Sequence, residues 1–409
     1  MTYFPVFNAQ AKHFVMEIPE VEYKPSPLIL KPMEVPVRLL LGPGPSNPHP
    51  RVQRASGTQL VGHLHPEFYA IMDEIQAGLK YAFQTENSLT LAVDGSGHAA
   101  MEAAIVNVVE PGEKVLILEN GIWGERAREI AERCGADVNS LVLPIGEVFT
   151  LPAIEEGLRV YHPRLLFACH GETSGGVAQP LEGIGELCAS HGCLLLVDTV
   201  ASLGGEPFLM DKWKVDIVYC GSQKVLGAPP GASPISFGPR ARAKMASRKT
   251  KVQSFYFDMN WLMKYWAVDG ATRVYHHTAS VSTFYGLRES LSLLAEQGLE
   301  ASWSKHKRNA ELLWEGLEKL GLELLVKDKS KRLHTVTAIK VPEDIKDWKE
   351  LITYAMKTHC VEIAGGLGPS YGKIWRIGLL GYNSTPENVQ KALAAMKDGL
   401  EHCRSLQQG

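Results

Sequence analysis

No apolar run in this 409-residue chain approaches the ~20 residues that a membrane-spanning helix needs. The longest are strand-sized, such as Leu194 to Val197. Neither sign of charge is in excess, and a formal balance of −3 gives no electrostatic case for nucleic acid or an anionic membrane. Metal-ligand spacing is missing as well. The seven cysteines (134, 169, 188, 193, 220, 360, 403) are scattered and odd in number, several of them inside apolar strands. That pattern fits reduced, buried thiols in an intracellular compartment better than a disulfide framework. There is no internal repeat and no low-complexity tract. Address signals are scarce too. The first residues carry Lys12 but no arginine and include Glu17, a poor transit peptide. The chain ends Ser405-Leu406-Gln407-Gln408-Gly409, not in the tripeptide that peroxisomal import reads.

What is present divides into three stretches. Prolines at 5, 19, 25, 27, 32 and 36 predict an extended arm over residues 1–37, because each removes a backbone donor. Such an arm must pack on something, and a partner subunit is the expected surface. From 38 to about 298, short apolar runs alternate with helix-like segments. Strands are expected at Leu89–Val93, Lys114–Leu118, Leu165–Cys169, Leu194–Val197, Ile217–Cys220 and Pro234–Phe237. Between them lie helix-like stretches such as Ala99–Val109 and Trp123–Cys134. This is an α/β pattern: a mostly parallel sheet covered by helices, with ligands bound beyond the carboxyl ends of the strands. Residues 299–409 read as a smaller α+β domain, with strands at Leu322–Val326 and Thr335–Val341 and a helix from about Trp348. Thr385-Pro386 then marks the start of a last helix.

Two residues stand at the ends of expected strands. Asp198 closes Leu194–Val197, and Lys224 follows Ile217–Cys220 in the run Gly221-Ser222-Gln223-Lys224. A lysine and a carboxylate so placed suit a pyridoxal phosphate Schiff base whose ring nitrogen is kept protonated. A phosphate cradle is also present. Asp94-Gly95-Ser96-Gly97-His98 follows a strand and opens a helix, where glycines and free N–H groups favour an anion. The same Gly95-Ser96-Gly97 loop, with Glu119 some way on, imitates a dinucleotide fingerprint, so an NAD-dependent oxidoreductase is the rival from a different class. That rival leaves Lys224 and Asp198 unexplained. Trp123, flanked by glycines at a strand–helix junction, offers a flat indole for stacking. The hydroxyls of Thr173 and Ser174 after the Leu165–Cys169 strand could meet a cofactor's phenolic oxygen. His98 is read as a phosphate-loop residue and His170 is left unassigned.

Eight segments stand in the order of the class V aminotransferases. They are Leu41-Gly42-Pro43-Gly44-Pro45-Ser46-Asn47, Ser96-Gly97-His98, Gly121-Ile122-Trp123, His170-Gly171-Glu172-Thr173, Asp198-Thr199-Val200-Ala201-Ser202, Gly221-Ser222-Gln223-Lys224, Tyr275-His276-His277-Thr278 and Gly365-Gly366-Leu367-Gly368-Pro369. From about residue 37 to 403 the chain resembles the alanine–glyoxylate (serine–pyruvate) aminotransferases of that family and their insect relatives, the 3-hydroxykynurenine transaminases. The resemblance implies a fold type I pyridoxal-phosphate transferase, with a seven-stranded large domain and a homodimer that shares its active sites. It implies that Lys224 carries the cofactor, Asp198 pairs with the ring nitrogen, and Trp123 and Val200 contact the ring. Ser96, Gly97, His98 and Gln223 would hold the phosphate, joined by Tyr275 and Thr278 of the neighbouring subunit. Thr173 would meet the ring oxygen. Gly44, Asn47, Thr173 and Arg376 would contact the substrate, the arginine by a bidentate grip on its carboxylate.

The implied reaction is alanine plus glyoxylate to pyruvate plus glycine, with serine as a possible donor and with a peroxisome or mitochondrion as the site. Three further alternatives stand beside the oxidoreductase. They are a hydroxykynurenine transaminase, a cysteine desulfurase that would need Cys360 over the cofactor, and a non-catalytic binding protein on the same scaffold. The long arm and the missing peroxisomal ending depart from the family pattern.

Overall fold

A computed structural model describes residues 21–406. Of these, residues 21–37 and residues 38–406 belong to separate units. The first 20 residues of the expected arm lie outside the described residues. In the rest of it, a 3-10 turn spans Pro27–Ile29, capped by the Ser26 side chain, and buries nothing. Leu28, Ile29, Met33 and Val35 are exposed.

The second unit is built on a seven-stranded sheet. Its strands are β1 (Leu89–Gly95), β2 (Lys114–Glu119), β3 (Asp137–Val142), β4 (Leu165–Cys169), β5 (Leu194–Asp198), β6 (Ile217–Tyr219) and β7 (Gly231–Phe237). The order across the sheet is β1-β7-β6-β5-β4-β2-β3. Neighbours pair parallel except around β7, which is antiparallel to both β1 and β6. β4 and β5 are buried at every position, which is why they read as unbroken apolar runs. β3 was not expected. It is an edge strand whose Asp137, Asn139 and Ser140 interrupt the apolar signal, and none of its residues is buried.

A smaller antiparallel sheet follows: β8 (Val336–Lys340), β9 (Ala364–Gly365) and β10 (Ile374–Gly378), in the order β8-β10-β9. The strand expected at Leu322–Val326 is reduced to a single bridge between Leu324 and Ile339. Leu322, Leu324 and Val326 are buried in alternation, as in a strand, but the backbone meets β8 only in passing. Gly298 separates the helices Val281–Gln297 and Leu299–Lys319, ending one and starting the other. The last helix, Pro386–Ser405, starts as expected, with the Thr385 hydroxyl accepting from the Asn388 N–H.

Two main hydrophobic cores fill the unit. One surrounds the large sheet and runs to Leu299; the other gathers Ala310 to Cys403 and also takes in Leu41. The chain reaches that second core because Leu39–Leu40 pairs parallel with Val361–Glu362. This pairing delivers the 42–47 turn to the carboxyl ends of the large-sheet strands.

Candidate active site

Strand β6 ends at Tyr219, and the chain then folds into a tight loop. Ser222 donates its hydroxyl to Pro229 O at 2.6 Å, and the Ala228 N–H reaches Ser222 O at 2.9 Å. Lys224 projects from this loop and donates Nζ to Pro43 O at 2.6 Å. The 42–47 turn grips the same loop from its other end. Ser46 donates N–H to Gln223 O at 2.9 Å and its hydroxyl to Lys224 O at 2.7 Å. Gly44 lies in the left-handed region at φ +114°, and a Cβ there would stand 2.5 Å from Lys224 Nζ. Only glycine lets the turn come so close. Burial lowers the Lys224 ammonium to about 8, helped by the nearby Arg376 charge and opposed by Asp198, Cys220 and Glu362.

Asp198 closes β5 with both carboxylate oxygens engaged. Oδ1 accepts the Val200 N–H at 2.7 Å and Oδ2 accepts the Tyr219 hydroxyl at 2.6 Å. Burial pushes this carboxyl up to about 6, against the pull of Tyr219, Val200 and Lys224. Burial and the Asp198 charge push the Tyr219 phenol upward in turn, so it stays a donor. Spare lone pairs on Asp198 suit a cationic N–H facing it.

The anion end is assembled at the close of β1. Helix Gly97–Val108 starts from Ser96, whose side chain makes no capping bond, so the first amides keep their donor capacity. Gly97 packs against Val200, and a Cβ there would lie 3.0 Å from Val200 Cγ2. Gln223 Oε1 is buried without a partner, and turning this amide over would present its Nε2 donors to an anion in its place. Trp123 is fixed through its indole, which donates Nε1–H to the Thr173 hydroxyl at 2.9 Å, and His98 stands edge-on to it at 5.5 Å. Burial and Arg126 lower the His98 imidazole. Ser96, Gly97, His98, Trp123, Asp198, Val200, Gln223 and Lys224 line one cavity of about 180 Å³, completed by Met101 and Tyr219. A larger opening of about 1040 Å³ is lined by Glu113, Arg164 and Leu194, at the opposite, amino ends of β2, β4 and β5. The chemistry sits where a parallel sheet is expected to place it.

Arg376 enters from β10. Its guanidinium is buried and pairs with no carboxylate among the described residues; Nε donates to Gly365 O at 2.8 Å and Nη1 to Thr173 O at 3.2 Å. Burial lowers it to about 10. A buried cation with donors to spare is suited to receive an anion.

Arg376 and Thr173 do not line the cavity, the threonine meeting it through Trp123, and other expected residues also fall outside the lining. Gly44 meets it only through Lys224. Asn47 is occupied in tying the chain together: Oδ1 accepts from Leu40 N–H and from Asn383, and Nδ2 donates to Arg38 O. Tyr275 and Thr278 are exposed on this protomer. Cys360 ends helix Trp348–His359, is exposed, and does not line the cavity. His170 is buried against Phe208 and Trp213, its Nδ1 lacks a partner, and burial lowers it to about 4.

The dinucleotide reading loses its geometry. β1 is an edge strand paired only with antiparallel β7, and Glu119 is engaged by Arg128 at 3.3 Å. Sequence reading assigned no role to Tyr219 or Glu172. The tyrosine looks like one more strand aromatic until β5 and β6 are placed side by side, and the glutamate looks like part of a polar turn with Ser174 until the fold brings the Trp123 amide to it.

Comparison with known proteins gives consistent matches. Residues 51–391 match the family model described as aminotransferase class-V. The chain is 54% identical over 379 residues to an alanine–glyoxylate aminotransferase of Callithrix jacchus, covering 93% of this chain and 91% of that protein. It is 45% identical over 379 residues to one of Drosophila melanogaster, covering 92% and 96%. Among solved structures, an alanine–glyoxylate aminotransferase from Nostoc sp. superposes with a TM-score of 0.88 at 51% identity, covering 91% of this chain and 97% of that one.

Proposed function

We propose, for a chain that belongs to the class V aminotransferases, that it moves an amino group from alanine to glyoxylate, giving pyruvate and glycine. Class V aminotransferases use pyridoxal phosphate, and the residues in the cavity fit that group. An acid that suits a cationic ring nitrogen, an orphaned buried amide and an open helix start share one cavity with a lysine. Ser96, Gly97, His98 and Gln223 would hold its phosphate, Trp123 and Val200 its ring, Thr173 its hydroxyl, Asp198 its ring nitrogen and Lys224 its aldehyde carbon. When bound, it supplies a carbonyl that carries the amino group and a ring that takes up the electron pair left as the Cα–H bond breaks.

The chain's own groups do the rest. Arg376 holds the substrate carboxylate and so fixes which bond at Cα faces Lys224. Lys224 Nζ takes the proton from Cα and would deliver it to the former aldehyde carbon of the bound group, and a lysine lowered to about 8 is tuned for both roles near neutral pH. Asp198 keeps a proton on the ring nitrogen, with Tyr219 holding the carboxylate in place. The second half-reaction runs these moves backwards on glyoxylate, so ping-pong kinetics are expected.

One observation carries the reading: Lys224, Asp198 and the phosphate-type loop line a single cavity in a chain more than half identical to an alanine–glyoxylate aminotransferase. The test is an absorbance spectrum of purified protein, to which L-alanine and then glyoxylate are added. The cofactor band fades with the first and returns with the second; a band indifferent to both would refute the proposal. Faster turnover of 3-hydroxykynurenine than of alanine would move the assignment to the insect-type transaminases.

A homodimer is part of the proposal. It is supported by the exposure of Tyr275 (57%), Phe255 and Trp261, and of the apolar side chains in residues 28–35. No helix among the described residues is long and apolar enough to cross a membrane. Placement in a peroxisome or mitochondrion rests on family likeness, and imaging the full chain in cells tests it.

A further inference from the structure

Glu172 is completely buried beside the site, and the reaction as written does not use it. Its carboxylate meets three donors. Oε1 accepts the Ser174 N–H at 2.8 Å and the Ser174 hydroxyl at 2.6 Å, and Oε2 accepts the Trp123 N–H at 3.2 Å. The Trp123 amide lies in the first turn of helix Ile122–Arg133, where a negative charge is favoured. The approach is so close that a Cβ on Gly121 would stand 2.4 Å from Glu172 Cδ. Thr173, the next residue, accepts the Trp123 indole N–H on its hydroxyl and Arg376 Nη1 on its carbonyl. One three-residue turn thereby joins the indole to the arginine.

We propose that Glu172 is a positioning residue that locks the Trp123 helix to the Thr173–Arg376 anchor, and that capture of a carboxylate by Arg376 is coupled to proton uptake by Glu172. This rests on the reading that Arg376 takes the substrate carboxylate.

Three donors favour an ionised acceptor. Oε1 is committed to Ser174, so a proton must go to Oε2, where it displaces the longer bond from Trp123. Burial raises this carboxyl to about 7, with Asp198 adding repulsion, while Ser174 and Trp123 oppose the rise. The charged and titratable groups that face it are Asp198 on β5, Tyr219 on β6, Cys169 on β4 and Arg376 on β10; the arginine is the only cation among them. A carboxylate brought to Arg376 uses up that cation's field and adds a negative charge, so the protonated form of Glu172 gains. Linkage then works in reverse: raising the pH through 7 ionises Glu172 and weakens carboxylate binding.

Calorimetry on the holoenzyme tests this with pyruvate, which cannot accept an amino group while the cofactor carries none. At pH 7, in two buffers of different protonation enthalpy, wild type should take up a fraction of a proton per pyruvate bound, and Glu172→Gln none. In turnover, the wild-type KM for the keto acid should rise roughly fivefold from pH 6 to 8, the effect of about one pKa unit of coupling on a group titrating near 7. The Glu172→Gln KM should stay flat, with kcat lowered because an amide cannot accept from both Ser174 and Trp123. Ser174→Ala removes one donor and keeps the glutamate, so the midpoint of the KM profile should move to higher pH. Wild-type binding with equal heats in both buffers, abolished by Arg376→Gln, would overturn the coupling and leave the Arg376 assignment standing. Undiminished pyruvate binding by Arg376→Gln would overturn both.

Discussion

At the scale of single residues, Lys224 is costly to the protein without its cofactor. Its folded-state value is lowered from 10.5 to about 8, so the folded protein holds that proton less tightly than the unfolded chain. The cost is fully present below pH 8 and vanishes as pH rises through 10.5, and it is of order 3 kcal/mol. Lys224→Met should therefore stabilise the cofactor-free protein at pH 7 by roughly 1–3 kcal/mol while lowering transamination at least about 10³-fold. Denaturant melts at pH 7 and pH 10.5 check it: the two variants should converge at the higher pH, and a destabilised methionine variant at pH 7 would contradict it. Asp198 is a second case. Tyr219→Phe removes one of its two donors and should cost roughly tenfold in kcat, the loss of one hydrogen bond to a charged group. Asp198→Asn should cost at least about a hundredfold, because the ring nitrogen loses its proton-holding partner. Asp198 and Lys224 were legible in sequence because each follows a short apolar strand. Tyr219 was not, since its hydroxyl acquires meaning only when β6 pairs beside β5 and brings Tyr219 opposite Asp198.

Among the elements, the 42–47 turn is the one whose geometry the chemistry depends on most directly. It belongs by pairing to the second core, through Leu39–Leu40 and Val361–Glu362, yet its Pro43 carbonyl holds Lys224 of the first. Gly44→Ala would place a methyl 2.4 Å from Lys224 Cδ and force a non-glycine residue to φ +114°. The backbone term alone is about 1–2 kcal/mol. The variant should fold with a lowered Tm and lose most of its bound-cofactor absorbance; an alanine variant with wild-type absorbance would show that Lys224 can swing clear. The turn was visible in sequence as a glycine–proline cluster, but its target was not, because nearly 180 residues separate it from the lysine it touches. Elements buried on both faces, such as β4 and β5, were readable from apolar runs. Those with mixed surroundings were misread. β3 carries polar residues on an edge, and Leu322–Val326 keeps an alternating burial without a strand partner along its length. Arg376 stood out in sequence only through the family pattern, since a strand arginine is ordinary; its depth in the protein is what makes it special.

For the molecule as a whole, the open question of assembly has a decisive experiment. Tyr275 and Thr278 are exposed on this protomer and take no part in lining its cavity, whereas a site shared across a dimer needs them on the partner. The phosphate would then depend on the subunit opposite to the one that supplies Lys224. Each of Lys224→Ala and Tyr275→Ala should be poorly active alone, the first for want of the amine and the second for weakened cofactor retention. When the two are unfolded together and refolded as a mixture, half of the dimers should be hybrids. In each hybrid, one site inherits both defects and the other inherits neither, because its lysine comes from the Tyr275→Ala chain and its tyrosine from the Lys224→Ala chain. Random assortment thus returns roughly a quarter of wild-type activity. Recovery of that size requires sites built from two chains, because no arrangement within a single chain can mend either variant. Activity no greater than the average of the two pure variants would mean that Tyr275 serves its own subunit or none, and the shared-site dimer would have to be abandoned.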